Sequence, residues 1–158
     1  MYRASSRSPT LLSALLGVAF LSAQVAIAAQ HDKAASADAQ GEVIAVVTAL
    51  FDGMRTRDEA LLRSVFAEEA RLGEGGIDGF IERVVGSERH LDEVTFDETV
   101  MIDGDLAMAW TPYNIFIDGE FHHCGVDLFV MRRREGRWLI TQLDDTRRTE
   151  GCDAQRRN

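Results

Sequence analysis

From Phe121 to Cys152 the chain reads FHHCGVDLFVMRRREGRWLITQLDDTRRTEGC. Two runs rich in β-branched and aromatic residues flank Glu135-Gly136, a pair suited to a tight turn. The pattern is that of a long hairpin. The stretch also carries both cysteines of the chain, Cys124 and Cys152, and a closing run of mixed charge. Whatever precedes this hairpin must supply a layer for its apolar face and a cover for the other.

The residues upstream set the class. Val43, Val46, Val47, Leu50, Phe51 and Met54 recur at helical spacing, which predicts an amphipathic helix over 42–56. Gly53 inside it marks a bend or a close approach. Asp58 is placed to cap a second helix whose buried side is Leu61, Leu62, Val65 and Phe66. Ala70-Arg71-Leu72 reads as a short strand, and Ile77, Phe80, Ile81, Val84 and Val85 as a third helix. After Leu91 come four expected strands, Glu93–Ile102, Leu106–Ile117, Phe121–Arg133 and Trp138–Arg148. Asp103-Gly104, Asp118-Gly119 and Glu135-Gly136 are the turns. Helices first and an antiparallel meander after them make the class α+β. Pro112, lacking an N–H, is expected at an edge or a bulge. Leu106–Ile117 is apolar on both faces, so a partner subunit is expected over the face that the helices leave open.

The start of the chain reads as an export signal. Arg3 and Arg7 precede the apolar run Leu11–Leu21, which is short for a bilayer span, and Ala26-Ile27-Ala28 supplies small residues at a cleavage site. The expected organisation is a signal peptide at 1–28, a flexible spacer at 29–40, one domain at 41–152 and a tail at 153–158. Localisation is then periplasmic or secreted, with no membrane insertion after cleavage. In an oxidising compartment Cys124 and Cys152 are expected to form a disulfide, the alternative being two free thiols. A formal charge of −9 argues against nucleic acid or an anionic membrane as partner.

Two stretches resemble the nuclear transport factor 2-like superfamily, which includes SnoaL-like polyketide cyclases and ketosteroid isomerases. VVTALFDGMRTRDEALLRSVFAEEARL (Val46–Leu72) is similar to the family's opening helix, Asp turn, second helix and short strand. GVDLFVMRRREGRWLITQLDDTRR (Gly125–Arg148) is similar to its penultimate strand with an Asp, a Gly-Arg-Trp turn and its last strand. The resemblance covers Gly41 to Arg148. It implies three helices packed in a strongly curved sheet, a cone with an apolar pocket, often dimeric. It also implies that Leu50 stands where the isomerases carry a tyrosine, Glu74 near their general base, and Asp127 at their protonated Asp.

Strand parity puts His123, Asp127, Phe129 and Met131 on one face and His122, Cys124 and Val126 on the other. Gly125 between His123 and Asp127 is expected to leave open space there. The candidate catalytic residues are therefore Asp127, His123 and Glu74. The candidate pocket wall draws on Trp110, Tyr113, Asn114, Phe129 and Met54. Adjacent strand residues point apart, so His122 and His123 are not expected to share a metal, and no metal is expected. No glycine-rich phosphate loop, dinucleotide fingerprint or nucleophile motif appears, so no cofactor is expected. Two functions fit: a domain binding a small, mostly apolar molecule, or an acid/base enzyme of the isomerase or cyclase kind. A structural dimerisation domain of the cell envelope is the third. N-terminal sequencing of the exported protein should begin at Ala29. A first residue within the Leu11–Leu21 run, or an intact Met1, would overturn the export reading.

Overall fold

The computed structural model describes residues 36–73 and 76–157. The expected signal peptide and residues 29–35 of the expected spacer lie outside them. Residues 36–40 are helical rather than a flexible spacer, and the compact unit begins at Ala39. The elements are α1 (36–56), α2 (Glu59–Ser64), β1 (Phe66–Leu72), α3 (Gly76–Val85), β2 (Leu91–Thr95), β3 (Thr99–Asp103), β4 (Leu106–Ile117), β5 (Glu120–Arg134) and β6 (Arg137–Arg148).

Helix α1 buries Val43, Val47, Leu50, Phe51 and Met54, the stripe its periodicity predicts. It ends on Arg57 in the left-handed region, with Asp58 N–H returning to the Gly53 carbonyl at 3.0 Å. Asp58 then caps α2 through Leu61 N–H. Gly53 allows the two helices to touch, because a Cβ there would lie 2.9 Å from the Leu62 side chain. Helix α2 is shorter than its pattern suggests. The Val65 carbonyl accepts Ile140 N–H at 2.8 Å, and Phe66 leaves as the first residue of β1. A ladder partner on β6 prevails over the helical spacing.

The six strands form one mixed sheet in the order β1-β6-β5-β4, with β2 and β3 both on the far side of β4. Every pairing is antiparallel except β1 with β6: the strands after Leu91 pair antiparallel as expected, and the short strand before them joins in parallel. The expected strand Glu93–Ile102 is also two strands. The break falls at Phe96–Glu98, with Asp97 at φ 52°, and each half pairs with its own end of β4. Pro112 explains the gap. It sits inside β4, paired with Val126, and its carbonyl accepts Phe96 N–H. Backbone N and O of one strand residue point the same way, so the missing N–H faces the break, where no ladder bond is interrupted. The turns at Asp118-Gly119 and Glu135-Gly136 have positive φ at both residues, as two-residue hairpins require.

The inner face of the sheet packs on the helices. Ala107, Ala109, Phe129, Met131 and Ile140 lie fully buried there, and Phe51 meets Phe129 edge to face at 6.2 Å. The outer face is covered at one end by the chain itself. Cys152 is bonded to Cys124, and Asn114 donates to the carbonyls of Asp153 and Arg156, each at 2.8 Å. Arg156 holds both oxygens of Asp97 and stacks on Phe96, while Arg157 lies 3.7 Å from the Phe116 ring. The expected tail is a strap that shields Asn114 and Phe116. At the other end Met101, Leu106 and Trp110 remain exposed.

Removing the staple with Cys124→Ser and Cys152→Ser should lower unfolding free energy by roughly 3–4 kcal/mol on the chain-entropy model. Urea melts of the pair against the oxidised protein measure it. Equal midpoints would show that the strap adds nothing to stability.

Candidate active site

A cavity of about 570 Å³ opens between the inner face of the sheet and helices α1 and α3. Its apolar wall comes from Leu50, Phe51 and Met54 of α1, Phe80 of α3 and Leu143 of β6. Its polar end is built by the register of four strands. Glu93, Ile115 and His123 form one row across β2, β4 and β5. Tyr113, Gly125 and Arg147 form the next, and Thr111, Asp127 and Asp145 the third. Pleating sends each of these residues to the same face.

Asp127 is 6% exposed and Glu93 8%. Among the described residues no N–H or hydroxyl reaches Oδ2 of Asp127. What it does have is the Glu93 carboxyl, and two acceptors side by side need a proton between them. Burial pushes Glu93 well above the usual carboxylate range, and the neighbouring charge and hydrogen bond of Asp127 push it further. Burial also raises Asp127, up to about 7. Asp145 adds to the rise, while the Glu93 hydrogen bond and Arg147 oppose it. The two carboxyls therefore share a proton that burial keeps on the pair. Near neutrality the pair holds one acid and one base.

The surroundings complete this arrangement. Burial raises the Tyr113 phenol, and the Glu93, Asp127 and Asp145 charges add to it, so it stays protonated and donates to the Thr146 carbonyl at 3.0 Å. The Tyr113 ring lies over Gly125, where a Cβ would stand 2.7 Å from the ring and 1.7 Å from the Thr146 oxygen. The space expected at Gly125 is thus filled by a neighbouring strand. Burial, then Arg147 and His122, lower His123, which stands as a neutral imidazole. Arg147 Nε donates to Asp145 at 2.8 Å.

His122 overturns a parity expectation. Ile115 pairs with His123 and Phe116 with Phe121, which leaves His122 unpaired in a bulge. Both imidazoles then reach the cavity wall, with their Nδ1 atoms 2.7 Å apart and one proton between them. Among the described residues no three His, Cys, Asp or Glu side chains converge to hold a metal ion.

Of the residues singled out in the sequence, Asp127, His123, Tyr113 and Met54 meet at this cavity, with Leu50 beside them. Three others lie away from it. Trp110 lies on the outer face and is 45% exposed. Asn114, also on that face, is held by the C-terminal strap. Phe129 is on the inner face but wholly buried beneath α1, beyond the cavity wall. Glu74 lies outside the described residues, while its neighbour Gly73 lines the cavity. Glu93 was not singled out. Its alternation marks a strand, but its place beside Asp127 depends on two ladder registers that no local pattern carries.

No protein-family model and no curated protein sequence matches the chain. Solved structures do. A nuclear transport factor 2-like protein with a cystatin-like fold from Novosphingobium aromaticivorans aligns at TM-score 0.62 and 15% identity, over 79% of this chain and 91% of its own. A second, of unknown function, from Shewanella baltica aligns at 0.57 and 16%, over 72% and 97%. A hexachlorocyclohexane dehydrochlorinase aligns at 0.60 and 14%, over 75% and 88%. At such identities the likeness carries the fold alone.

The buried pair leaves a mark on stability. Asp127 rises from an ordinary 3.8 to about 7, so between these values the folded chain binds a proton that the unfolded chain has lost. Its contribution is present below the lower value and is lost as pH rises through the upper one. Asp127→Asn should therefore gain stability relative to the natural chain from about pH 4 to about pH 8. Urea melts across that range measure the difference. A constant difference would show that Asp127 is not held protonated by the fold.

Proposed function

We propose that this chain, a nuclear transport factor 2-like domain by its fold, binds a small, mostly apolar molecule in the cavity and sets its polar group against Glu93 and Asp127. The observation that carries this reading is the division of the cavity into an apolar wall on α1, α3 and β6 and a polar end on the sheet. A volume of about 570 Å³ falls in the ordinary range of small-molecule sites. Ligand area buried on Leu50, Phe51, Met54 and Phe80 supplies affinity, and the carboxyl pair orients the head.

The same pair favours a second reading, acid/base catalysis of the isomerase or cyclase kind. In it Asp127 takes a proton from the substrate and Glu93 donates one to an oxygen on which charge develops. The neutral His123 stands by as a further acceptor, and Glu93 is a second carboxyl at the site beside Asp127, while Glu74 is the one that the family resemblance put near the general base. Leu50 offers no donor, and the Tyr113 phenol hydrogen is directed to Thr146.

Export to an oxidising compartment belongs to the same proposal and is supported by the Cys124–Cys152 disulfide. Among the described residues no helix is long and apolar enough to cross a membrane. Homodimer formation is proposed as well, supported by Met101, Leu106 and Trp110 left bare on the outer face.

Native mass spectrometry of protein purified from its export compartment should show a bound small molecule, lost on denaturation. Leu50→Trp, which fills the apolar wall, should abolish the retained mass while the fold persists. An empty natural chain that also fails to retain added amphiphiles would overturn the pocket reading and favour a structural envelope domain.

A further inference from the structure

Among the described residues, the one cation whose charge reaches Glu93 and Asp127 at the polar end of the cavity is Arg147. Arg147 on β6 is held by Asp145, and Arg83 of α3 is exposed at the rim. Tyr113 on β4 and His122 and His123 on β5 are the other titratable groups that face the pair. Helix α1 contributes only apolar side chains to the wall. The one lysine of the chain, Lys33, lies outside the described residues. Two carboxyls buried together keep a proton between them because Arg147, already held by Asp145, does not offset the cost of burying both as anions.

Resting on the pocket reading, we infer that the ligand is an amphiphilic amine, whose ammonium head seats against Glu93 and Asp127 while its hydrocarbon body lies along α1. The head supplies a positive charge that no side chain already holds, and its N–H groups donate to Asp127 Oδ2, which no N–H or hydroxyl of the described residues reaches. The Phe51, Phe80 and Tyr113 rings on the wall add faces to which a cation is attracted. A ligand carboxylate or phosphate in the same place meets Glu93, Asp127 and Asp145 against Arg147, which Asp145 already pairs. A neutral alcohol is accepted but leaves the shared proton where it was.

The sign of the pH dependence follows. The ammonium favours ionised Asp127, so binding to protonated Asp127 expels a proton. Affinity rises as pH climbs through about 7, where Asp127 ionises, and levels off above it. Neutral His123 does not oppose this in that range, because its burial already disfavours the imidazolium.

Isothermal titration with octylamine, octanol and octanoate, alike in body and different in head, tests the inference. At about pH 8 octylamine should bind about ten-fold or more tighter than octanol, and octanoate weakest of the three. At about pH 6 octylamine should weaken and release protons in buffers of different ionisation enthalpy, while octanol is unchanged. Glu93→Gln and Asp127→Asn should each abolish the preference for the amine and retain octanol. Should either variant fail to fold, the proton release of the natural chain still decides. Octanol binding as tightly as octylamine, or octanoate binding tightest, overturns the amine and leaves the pocket reading intact. No binding of any of the three overturns both.

Discussion

The pairing of β4 with β5 organises this structure. It runs through the whole of β4, from Leu106 opposite Arg132 to Ile117 opposite Glu120, around a two-residue turn that admits only left-handed backbone. Side-chain period along a strand is two, so this one register decides which residues face the helices and which face away. It lays Tyr113 on Gly125, Thr111 beside Asp127 and Ile115 beside His123. Its single irregularity, the bulge at His122, brings a second imidazole to a wall that strict alternation would have denied it.

The inner face that results breaks the usual rule for a core. Most of it is Ala, Phe, Met and Ile under α1, yet at one end Glu93 and Asp127 are buried together, with Asp145 directly across from Asp127. Like charges opposite one another in a sheet destabilise it, and burying a carboxylate costs far more than burying an acid. The fold answers by keeping a proton on the pair. Local features that oppose folding concentrate at functional sites, and here the unfavourable group also lines the principal cavity.

The outer face shows how a short tail can replace a layer. Its residues near Asn114 and Phe116 are as buried as the core, but what covers them is backbone from Asp153 to Arg156 and two arginines stacked on phenylalanines. The Cys124–Cys152 bond limits how far that segment can depart, which makes the weak individual contacts effective together. Pro112 and the β2–β3 break belong to the same region. The gap opens where Pro112 lacks a donor, and Asp97 in that gap is the residue Arg156 grips.

Much of this was legible in the residues themselves. Periodicity marked α1 and its buried stripe, Asp58 announced a cap, glycine turns marked the hairpins, and alternation set His123 and Asp127 on one face. Those signals are local, because backbone geometry imposes a period of 3.6 or 2 on neighbours in sequence. Three things lay beyond them: that Phe66 would leave its helix for a parallel place beside β6, that His122 would be bulged inward, and that Glu93 would stand against Asp127. Each depends on which strand lies beside which, and in what register. Long-range pairing is chosen by the burial of whole faces at once, and no window of the sequence contains both partners. The sequence by itself determined most of the elements, the cysteine pair and the side of the strand on which Asp127 stands. The tertiary structure alone decided that Asp127 would meet another carboxyl there, largely shielded from water, where the two share a proton.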